Sequence, residues 1–115
     1  MMHGLVGEQT LLRIIVTASD RVDGRPVHEA LVECLRSHDI AGATVLPAIM
    51  GFGARGFLAS TFTEIGTTAL PVIIEAVDRE ASIARVLPAL DRLIPGGIVT
   101  LERAQVIAYR PHSER

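Results

Sequence analysis

The residues best suited to chemistry in this chain are glycines grouped in two short stretches. In the first stretch, Gly51, Gly53 and Gly56 follow an apolar run, and Phe52 and Arg55 lie between them. Glycine tolerates positive φ and lets a ligand come close to the backbone, while arginine presents a fork of N–H donors to a phosphate or carboxylate. This spacing predicts a ligand-binding loop, and the structural alternative is a flexible hairpin.

The second stretch is Gly96-Gly97, which follows a predicted helix. Successive backbone N–H groups in such a turn can bind an anion, and the structural alternative is a helix C-cap, where glycine is common. Ser19 and Arg21 are further candidate anion contacts, because they precede a helix N-terminus that favours negative charge; local turn chemistry is their alternative. Arg103 is a candidate contact to a neighbouring subunit's cleft, with surface solvation as its alternative.

No catalytic residue and no metal site is predicted. The histidines are not spaced as metal ligands, and they are His3, His28, His38 and His112. Cys34 falls on the apolar stripe of a helix, where a cysteine behaves as a small core residue. Three glutamates are possible acid–base groups that the sequence does not pair, namely Glu64, Glu75 and Glu102.

Composition limits the class of protein. The chain has 115 residues, 49% of them hydrophobic and 21% charged, with a net charge of −2. This balance argues against a nucleic-acid partner, and no apolar run reaches the ~20 residues of a spanning helix. With one cysteine and no visible signal peptide, we expect a cytoplasmic protein. We expect a single domain over 10–110, a flexible leader over 1–9 and a tail over 111–115.

Hydrophobic periodicity predicts the order β-α-β-β-α-β. The predicted elements before the long loop are a strand Thr10–Ala18, a turn Ser19–Arg25 with Asp23-Gly24 as its tightest signal, a helix Pro26–His38 and a strand Ala43–Met50. After the loop Gly51–Leu70 come a strand Pro71–Val77 and a helix that Asp78 can cap and that ends near Ile94. A final strand covers Ile98–Leu101 and Ala104–Tyr109, either continuous or split around Glu102-Arg103. This order is typical of the α+β ferredoxin-like fold, a four-stranded antiparallel sheet with both helices on one face.

The second face of this sheet must also be covered. The strand Ala43–Met50 is apolar on both of its faces, whereas a strand covered on one side only alternates with polar residues. In so short a chain only other subunits can supply the cover, and sheets that meet around a closed symmetry axis would do so. Pro47 cannot donate to a strand ladder, so it predicts an edge position or a bulge.

Three segments carry a family resemblance: SDRVDGRPVHEALV, GATVLPAIMGFGA and PVIIEAVDREASIARVLPALDRLIPGGIVTLE. Together they resemble the domain of unknown function 190 family, whose members are similar to the nitrogen-regulatory PII signalling proteins. The resemblance covers residues 10–109. It implies a PII-like fold and a homotrimer with its sheets facing inward. It also implies a small ligand, often an adenine nucleotide, in clefts between the subunits.

The resemblance carries over residue by residue only in part. Gly51, Phe52, Gly53 and Ala54 match the base of the PII-like loop, Arg55 follows them, and the glycine turn falls at Gly96 and Gly97. Ile98 stands where PII proteins have a phosphate-contacting lysine, and Pro47 stands where family members often have arginine. Phe57, Leu58 and Ala59 replace a basic or His-containing stretch. These departures remove positive charge from the implied site.

In such trimers the loop tip contacts a target protein, commonly a membrane transporter or an enzyme. Family genes often lie beside fluoride-channel genes, which points to a channel partner without direct membrane insertion of this chain. The sequence therefore favours a PII-like regulator. Two alternatives stay open: an interaction module without a small ligand, and a small ferredoxin-like enzyme whose apolar pocket is walled by Phe57, Leu58 and Phe62.

Overall fold

The computed structural model describes residues 4–53, the backbone of 59–60, and residues 70–112. The described elements, in chain order, are β1 Gly7–Thr17, β2 Arg21–Val22, β3 Arg25–Pro26, α1 Val27–Ser37, β4 Thr44–Pro47, β5 Met50–Gly51, β6 Ala59–Ser60, β7 Pro71–Asp78, α2 Glu80–Asp91 and β8 Ile98–Val106. β4, β7, β1 and β8 form one four-stranded sheet in that order, with every neighbouring pair antiparallel. Neither α1 nor α2 is long and apolar enough to cross a membrane.

The core lies between the sheet and the two helices, on one face of the sheet. Alternate residues of the two central strands meet the apolar stripes of both helices, as period-two and period-3.6 patterns require. The central residues of this core are Leu12, Ile14 and Val16 of β1, Val72, Ile74 and Ala76 of β7, Val27, Leu31 and Leu35 of α1, and Ile83, Val86 and Leu90 of α2. The predicted α+β, ferredoxin-like architecture is confirmed.

Several predicted strand boundaries are wrong. β1 begins at Gly7, so the last three residues of the predicted leader belong to the sheet. β4 ends at Pro47, and its position at the sheet edge agrees with the missing N–H of that proline. β8 is continuous from Ile98 to Val106, because its ladder with β1 keeps Glu102 and Arg103 in register.

Both helices are shorter than predicted. α1 begins after Pro26, which is its N-cap, and Cys34 is half-buried at the margin of the core, not inside it. α2 ends at Asp91, three residues before the predicted Ile94. Asp78 is not the cap of α2. Its buried carboxylate accepts hydrogen bonds from the backbone N–H of Arg79 at 2.7 Å and of Ala41 at 2.9 Å, which ties the start of α2 to the segment before β4.

The end of α1 contains a residue with unfavourable backbone conformation, and a substitution there can stabilise the protein. Asp39 has φ of 60°, and the pair of hydrogen bonds from Asp39 N to Arg36 O and from Ile40 N to Leu35 O closes the helix. Such endings favour glycine, because a Cβ is strained at positive φ. Asp39→Gly should therefore raise the free energy of unfolding by about 0.5 to 1 kcal/mol, measured by urea denaturation. Asp39→Ala, which keeps a Cβ, should not be stabilising.

The sheet face opposite the helices, called here the open face, has no covering element among the described residues. The strand register arranges its side chains in rows. One row is apolar and consists of Leu46, Ile73, Ile15 and Ile98; the next is polar and consists of Thr44, Glu75, Arg13 and Thr100; the third consists of Val77, Leu11 and Glu102. Leu46 is 43% exposed and Ile98 is 53% exposed. The apolar second face predicted from the sequence is confirmed, with a polar row across its middle.

Candidate functional site

Three of the predicted site segments lie at one end of the sheet, called here the loop end. β1 ends there beside the first residue of β7, since Thr17 pairs with Pro71. β4 ends and β8 begins at the same end. The turn after β1, the loop after β4 and the glycine turn before β8 therefore emerge at the same end of the sheet. β4 and β8 are its two edge strands, so Gly51 to Gly53 lie at one edge of that end, Gly96-Gly97 lie at the other, and the turn with Ser19 and Arg21 follows the central strand β1.

The base of the long loop is fixed to the sheet. The N–H of Ala48 donates to the carbonyl of Pro71 at 2.9 Å, and β5 pairs with β6 through Met50 with Ser60 and Gly51 with Ala59. A Cβ on Gly51 would lie 3.0 Å from Cγ of Pro71, so this glycine allows a close approach between β5 and the start of β7. The ladder therefore gives the loop a defined stem.

Beyond this stem the predicted site becomes open. Phe52 is 73% exposed, and a Cβ on Gly53 would meet nothing within 4 Å among the described residues. Neither Gly51 nor Gly53 has positive φ. Ala54 and Arg55 lie outside the described residues, as does most of the predicted 51–70 loop.

Gly97 is required by the fold itself. Its φ is +132°, and a Cβ there would overlap the backbone carbonyl oxygen of Ile15 in β1. Gly96, its neighbour, has open space where a Cβ would lie. The alternative of a helix C-cap is wrong, because α2 ends at Asp91 with Arg92 as its C-cap. The glycine turn instead brings the backbone before β8 against the central strand.

Ser19 and Arg21 have local hydrogen-bond partners. The Arg21 guanidinium donates from Nη1 to the carbonyls of Ala18 at 3.1 Å and Asp20 at 3.3 Å. The Ser19 hydroxyl lies 3.2 Å from the hydroxyl of Thr17. Both residues are exposed. The geometry matches the turn-chemistry alternative within a single chain, and it leaves both side chains at the rim of the loop end.

The turn at Asp23-Gly24 has the tightest turn signal of its segment in the sequence. Asp23 and Gly24 have φ of 50° and 81° and join β2 to β3 as a two-residue hairpin. Two successive residues of positive φ are typical of the hairpin turns that favour Asp-Gly. The hairpin places the start of α1 directly after the turn that carries Ser19 and Arg21.

Arg103 is not brought to the loop end within one chain. It pairs with Thr10 in the β1–β8 ladder, five residues along β8 from Ile98, which corresponds to about 17 Å along the strand. Its exposed guanidinium lies 4.0 Å from the carboxylate of Glu8. An exposed pair at this separation contributes little to stability.

Sequence reasoning missed a cluster on the open face. Arg13 donates from Nε to Glu75 at 2.9 Å and from Nη1 to Glu102 at 2.7 Å. The hydrogen bonds to Glu75 and then to Glu102 raise the pKa of the Arg13 guanidinium above its ordinary value. Glu75 and Glu102, candidate acid–base groups in the sequence, are thus partners of one cation. The sequence did contain a signal for this cluster, because Arg13 and Glu75 are single charged residues within two otherwise apolar strand segments.

Other chemistry-bearing residues stay isolated. No group of three or more His, Cys, Asp or Glu residues with metal-site geometry occurs in residues 4–53 and 70–112. The Cys34 thiol lies 3.8 Å from Nδ1 of His38, and burial raises the pKa of that thiol. A raised pKa disfavours the thiolate that a nucleophilic cysteine needs.

An apolar recess of about 290 Å³ lies at the end of the sheet opposite the loop end. Its lining consists of Leu5, Ala41, Gly42, Val77, Val106 and Tyr109. None of the predicted site residues contributes to it. The recess and the loop end are therefore separate features of the chain.

Comparisons with known proteins agree on the fold. A PII-like signaling protein of Thermus thermophilus matches with a TM-score of 0.65 and 18% identity, over 88% of this chain and 91% of that one. CPII of Thiomonas intermedia K12, described as bound to ADP, AMP and acetate, matches with a TM-score of 0.63 and 18% identity, over 87% of this chain and 89% of that one. The PII-like fold expected from the sequence is confirmed.

Sequence comparisons identify the family. A UPF0166 protein of Methanocaldococcus jannaschii is 37% identical over 73% of this chain and 77% of its own. A UPF0166 protein of Aquifex aeolicus is 31% identical over 89% of this chain and 96% of its own. The model of the DUF190 family, described as an uncharacterized ACR, matches residues 9–106. The chain belongs to the DUF190 family.

Proposed function

We propose that this protein is a PII-like regulator that binds a small anionic ligand, an adenine nucleotide, at the loop end of the sheet. The observation that carries the proposal is that the loop stem at Gly51–Gly53 and the Gly96-Gly97 turn lie at the same end of the sheet, beside its two edge strands β4 and β8. CPII, which shares the fold, is described as bound to ADP and AMP. The role is regulatory, in keeping with the signalling description of the structural neighbours.

The ligand site proposed here is built mostly from backbone. The turn at Gly96-Gly97 offers N–H groups to phosphate oxygens, in the manner of other glycine turns. The open space beside Gly53 leaves room for a ligand to approach the loop stem. Arg21 supplies positive charge at the rim of the loop end, and Arg55 follows the loop stem in the sequence. Ile98 stands where PII proteins have a phosphate-contacting lysine, so backbone donors carry more of the interaction with the anion here.

The proposed assembly is a homotrimer in which the open faces meet. The apolar row on this face includes two residues that are 43% and 53% exposed in the isolated chain, Leu46 and Ile98. Burial of such an apolar row in an interface is favourable, because it removes apolar surface from water. Each ligand site then lies in a cleft between two subunits, and Arg103 of a neighbouring subunit becomes a candidate contact.

The loop over residues 51–70 is the proposed contact to a partner protein. Its stem presents Ile49, Met50 and Phe52, which are exposed apolar side chains. Exposed apolar groups of this size are typical of interaction sites. Ligand binding at the stem would change the loop's grip on the partner, which family context suggests is a membrane transporter or a fluoride channel.

Calorimetric titration of ADP, AMP and inorganic phosphate tests the ligand. We expect saturable ADP binding, and Gly53→Val should weaken it at least about tenfold because a branched side chain fills the approach to the stem. Gly42→Val is the matched control, since both glycines have open space for a Cβ and Gly42 lies at the other end of the sheet. ADP at about 100 times its dissociation constant should stabilise the protein by roughly 2.7 kcal/mol.

The second candidate is an interaction module without a small ligand, which the exposed Ile49, Met50 and Phe52 favour. In that case a trimeric protein gives no heat with ADP, AMP or phosphate. Equal affinity of the Gly53→Val and Gly42→Val variants for ADP would contradict the site, although not ligand binding as such.

A further inference from the structure

The polar row of the open face is unusual in its surroundings. Arg13 and Glu75 lie side by side at the centre of the sheet, with the apolar row of Leu46, Ile73, Ile15 and Ile98 on one side and Leu11 and Val77 on the other. The side chains of Arg13 and Glu75 are 34% and 31% exposed, and that of Glu102 is 55% exposed. Any partner that covers the apolar row also covers this cluster.

The cluster has unused hydrogen-bonding capacity. Arginine carries five N–H donors, and Arg13 donates hydrogen bonds to other described residues only from Nε and Nη1. Among the same residues, Glu75 accepts through Oε2 and Glu102 through Oε1. Within the described part of the chain the open face therefore has N–H donors and carboxylate oxygens without partners, and two negative charges share one positive charge.

Thr100 adds an independent observation. It lies directly opposite Arg13 in the β1–β8 ladder. Its hydroxyl oxygen is buried and has no hydrogen-bond partner among the described residues. A buried hydroxyl without a partner is costly and calls for an explanation. It sits in the same row as the incompletely satisfied ions.

We propose that Arg13, Glu75 and Glu102 form a contact between neighbouring copies of this chain that sets the register when their open faces meet in the trimer. The occupant of the open face is a second copy because the same patch offers both signs of charge. Spare guanidinium donors of one copy then meet spare carboxylate oxygens of the next. This inference rests on the proposed trimer and goes beyond it by naming the residues that select the partner and its alignment.

Charge pairs in a covered interface are best attested as devices that fix alignment, since their desolvation offsets much of their attraction. Breaking such a pair is costly, whereas replacing the whole set by apolar residues is often tolerated. The proposal therefore predicts two opposite results. Loss of Arg13 alone weakens association of the chains. Loss of all three charges restores association, but the chains then assemble into complexes of different sizes.

Sedimentation velocity over a range of protein concentrations tests this with Arg13→Met and with the triple variant Arg13→Met/Glu75→Met/Glu102→Met. We expect the single variant to associate about 100-fold more weakly. The triple variant should associate at least as tightly as the wild type, but as a mixture of species. Association of Arg13→Met that equals wild type, or equal weakening in both variants, would overturn the proposal.

Glu102→Gln keeps the test valid if Arg13→Met does not fold, because it preserves the pair of Arg13 with Glu75. We expect about tenfold weaker association, with an unchanged circular dichroism spectrum; unchanged association contradicts the proposal. The wild type separates this failure from that of the proposed function. If the wild type is a monomer, the proposed trimer itself is contradicted. If the wild type is a trimer and both Arg13→Met and Glu102→Gln associate as tightly as it does, only the role of this cluster is contradicted.

Discussion

Gly97→Ala is expected to destabilise the protein by about 2 to 4 kcal/mol and to abolish ligand binding at the loop end. The residue has φ of +132°, where a Cβ is strained, and the Cβ would overlap the carbonyl oxygen of Ile15. Ile15 lies in β1, the central strand that pairs with both β7 and β8. The backbone on either side cannot move away without breaking a ladder. Urea denaturation followed by circular dichroism measures the loss.

Gly96→Ala is the matched control for this experiment. The two glycines are adjacent in sequence, but a Cβ on Gly96 meets no atom within 4 Å among the described residues and its φ is not positive. The control should change the free energy of unfolding by less than about 0.5 kcal/mol. Equal destabilisation by the two substitutions would contradict the role of Gly97, because the loss of any glycine from this turn would then explain the effect.

The second large effect is expected on the open face. Leu46→Asp places a carboxylate in the apolar row, and in a trimer three such charges are buried close together. Burying a charge without a partner costs several kcal/mol for each ion. We therefore expect association of the chains to weaken by about 1000-fold or more. The fold of the single chain should survive, because Leu46 is 43% exposed in an edge strand.

Val45→Asp is the control for the open face. Val45 is adjacent on the same strand, is 37% exposed, and pairs with Ile74 on the helix side of the sheet. Sedimentation equilibrium should show a dissociated Leu46→Asp variant and a Val45→Asp variant that stays associated. Dissociation of Val45→Asp alone would assign the contact to the helix side and would contradict the proposed trimer.

The architecture was predictable because each element has a strong local pattern. The stripe on α1, the apolar runs of β1 and β7, and the Asp23-Gly24 hairpin each depend on residues close together in the chain. Pro47 also located an edge strand through its missing N–H. These signals survive in a single sequence, and the family resemblance pointed to the same fold.

Contacts between distant segments were not predictable. The bond from Ala41 N to Asp78 spans 37 residues, and the pair of Arg13 with Glu102 spans 89. Both depend on which distant segments of the chain lie next to each other in the fold, and the pattern within one segment does not specify its neighbour. For the same reason Gly97 looked like a helix cap or an anion turn, although its position against Ile15 is what requires glycine.

The candidate site was predictable as a set of segments, but not as a set of roles. The glycine stretches and the Ser19–Arg21 turn do lie at the same end of the sheet, because neighbouring antiparallel strands end and begin there. Arg103 does not join them, since its place in the ladder lies far along β8. Whether a neighbouring subunit brings it back depends on the assembly, which local patterns do not encode.

Native mass spectrometry of the wild-type protein with ADP tests the central claim most directly, because it counts chains and nucleotides in one spectrum. We predict a complex of three chains of 12.3 kDa each that carries up to three ADP molecules, with occupancy that saturates as ADP rises. Gly53→Val should give the same trimer with little bound ADP. A trimer that takes up no ADP would contradict the ligand, and a monomer at every concentration would contradict the assembly and the site between its subunits.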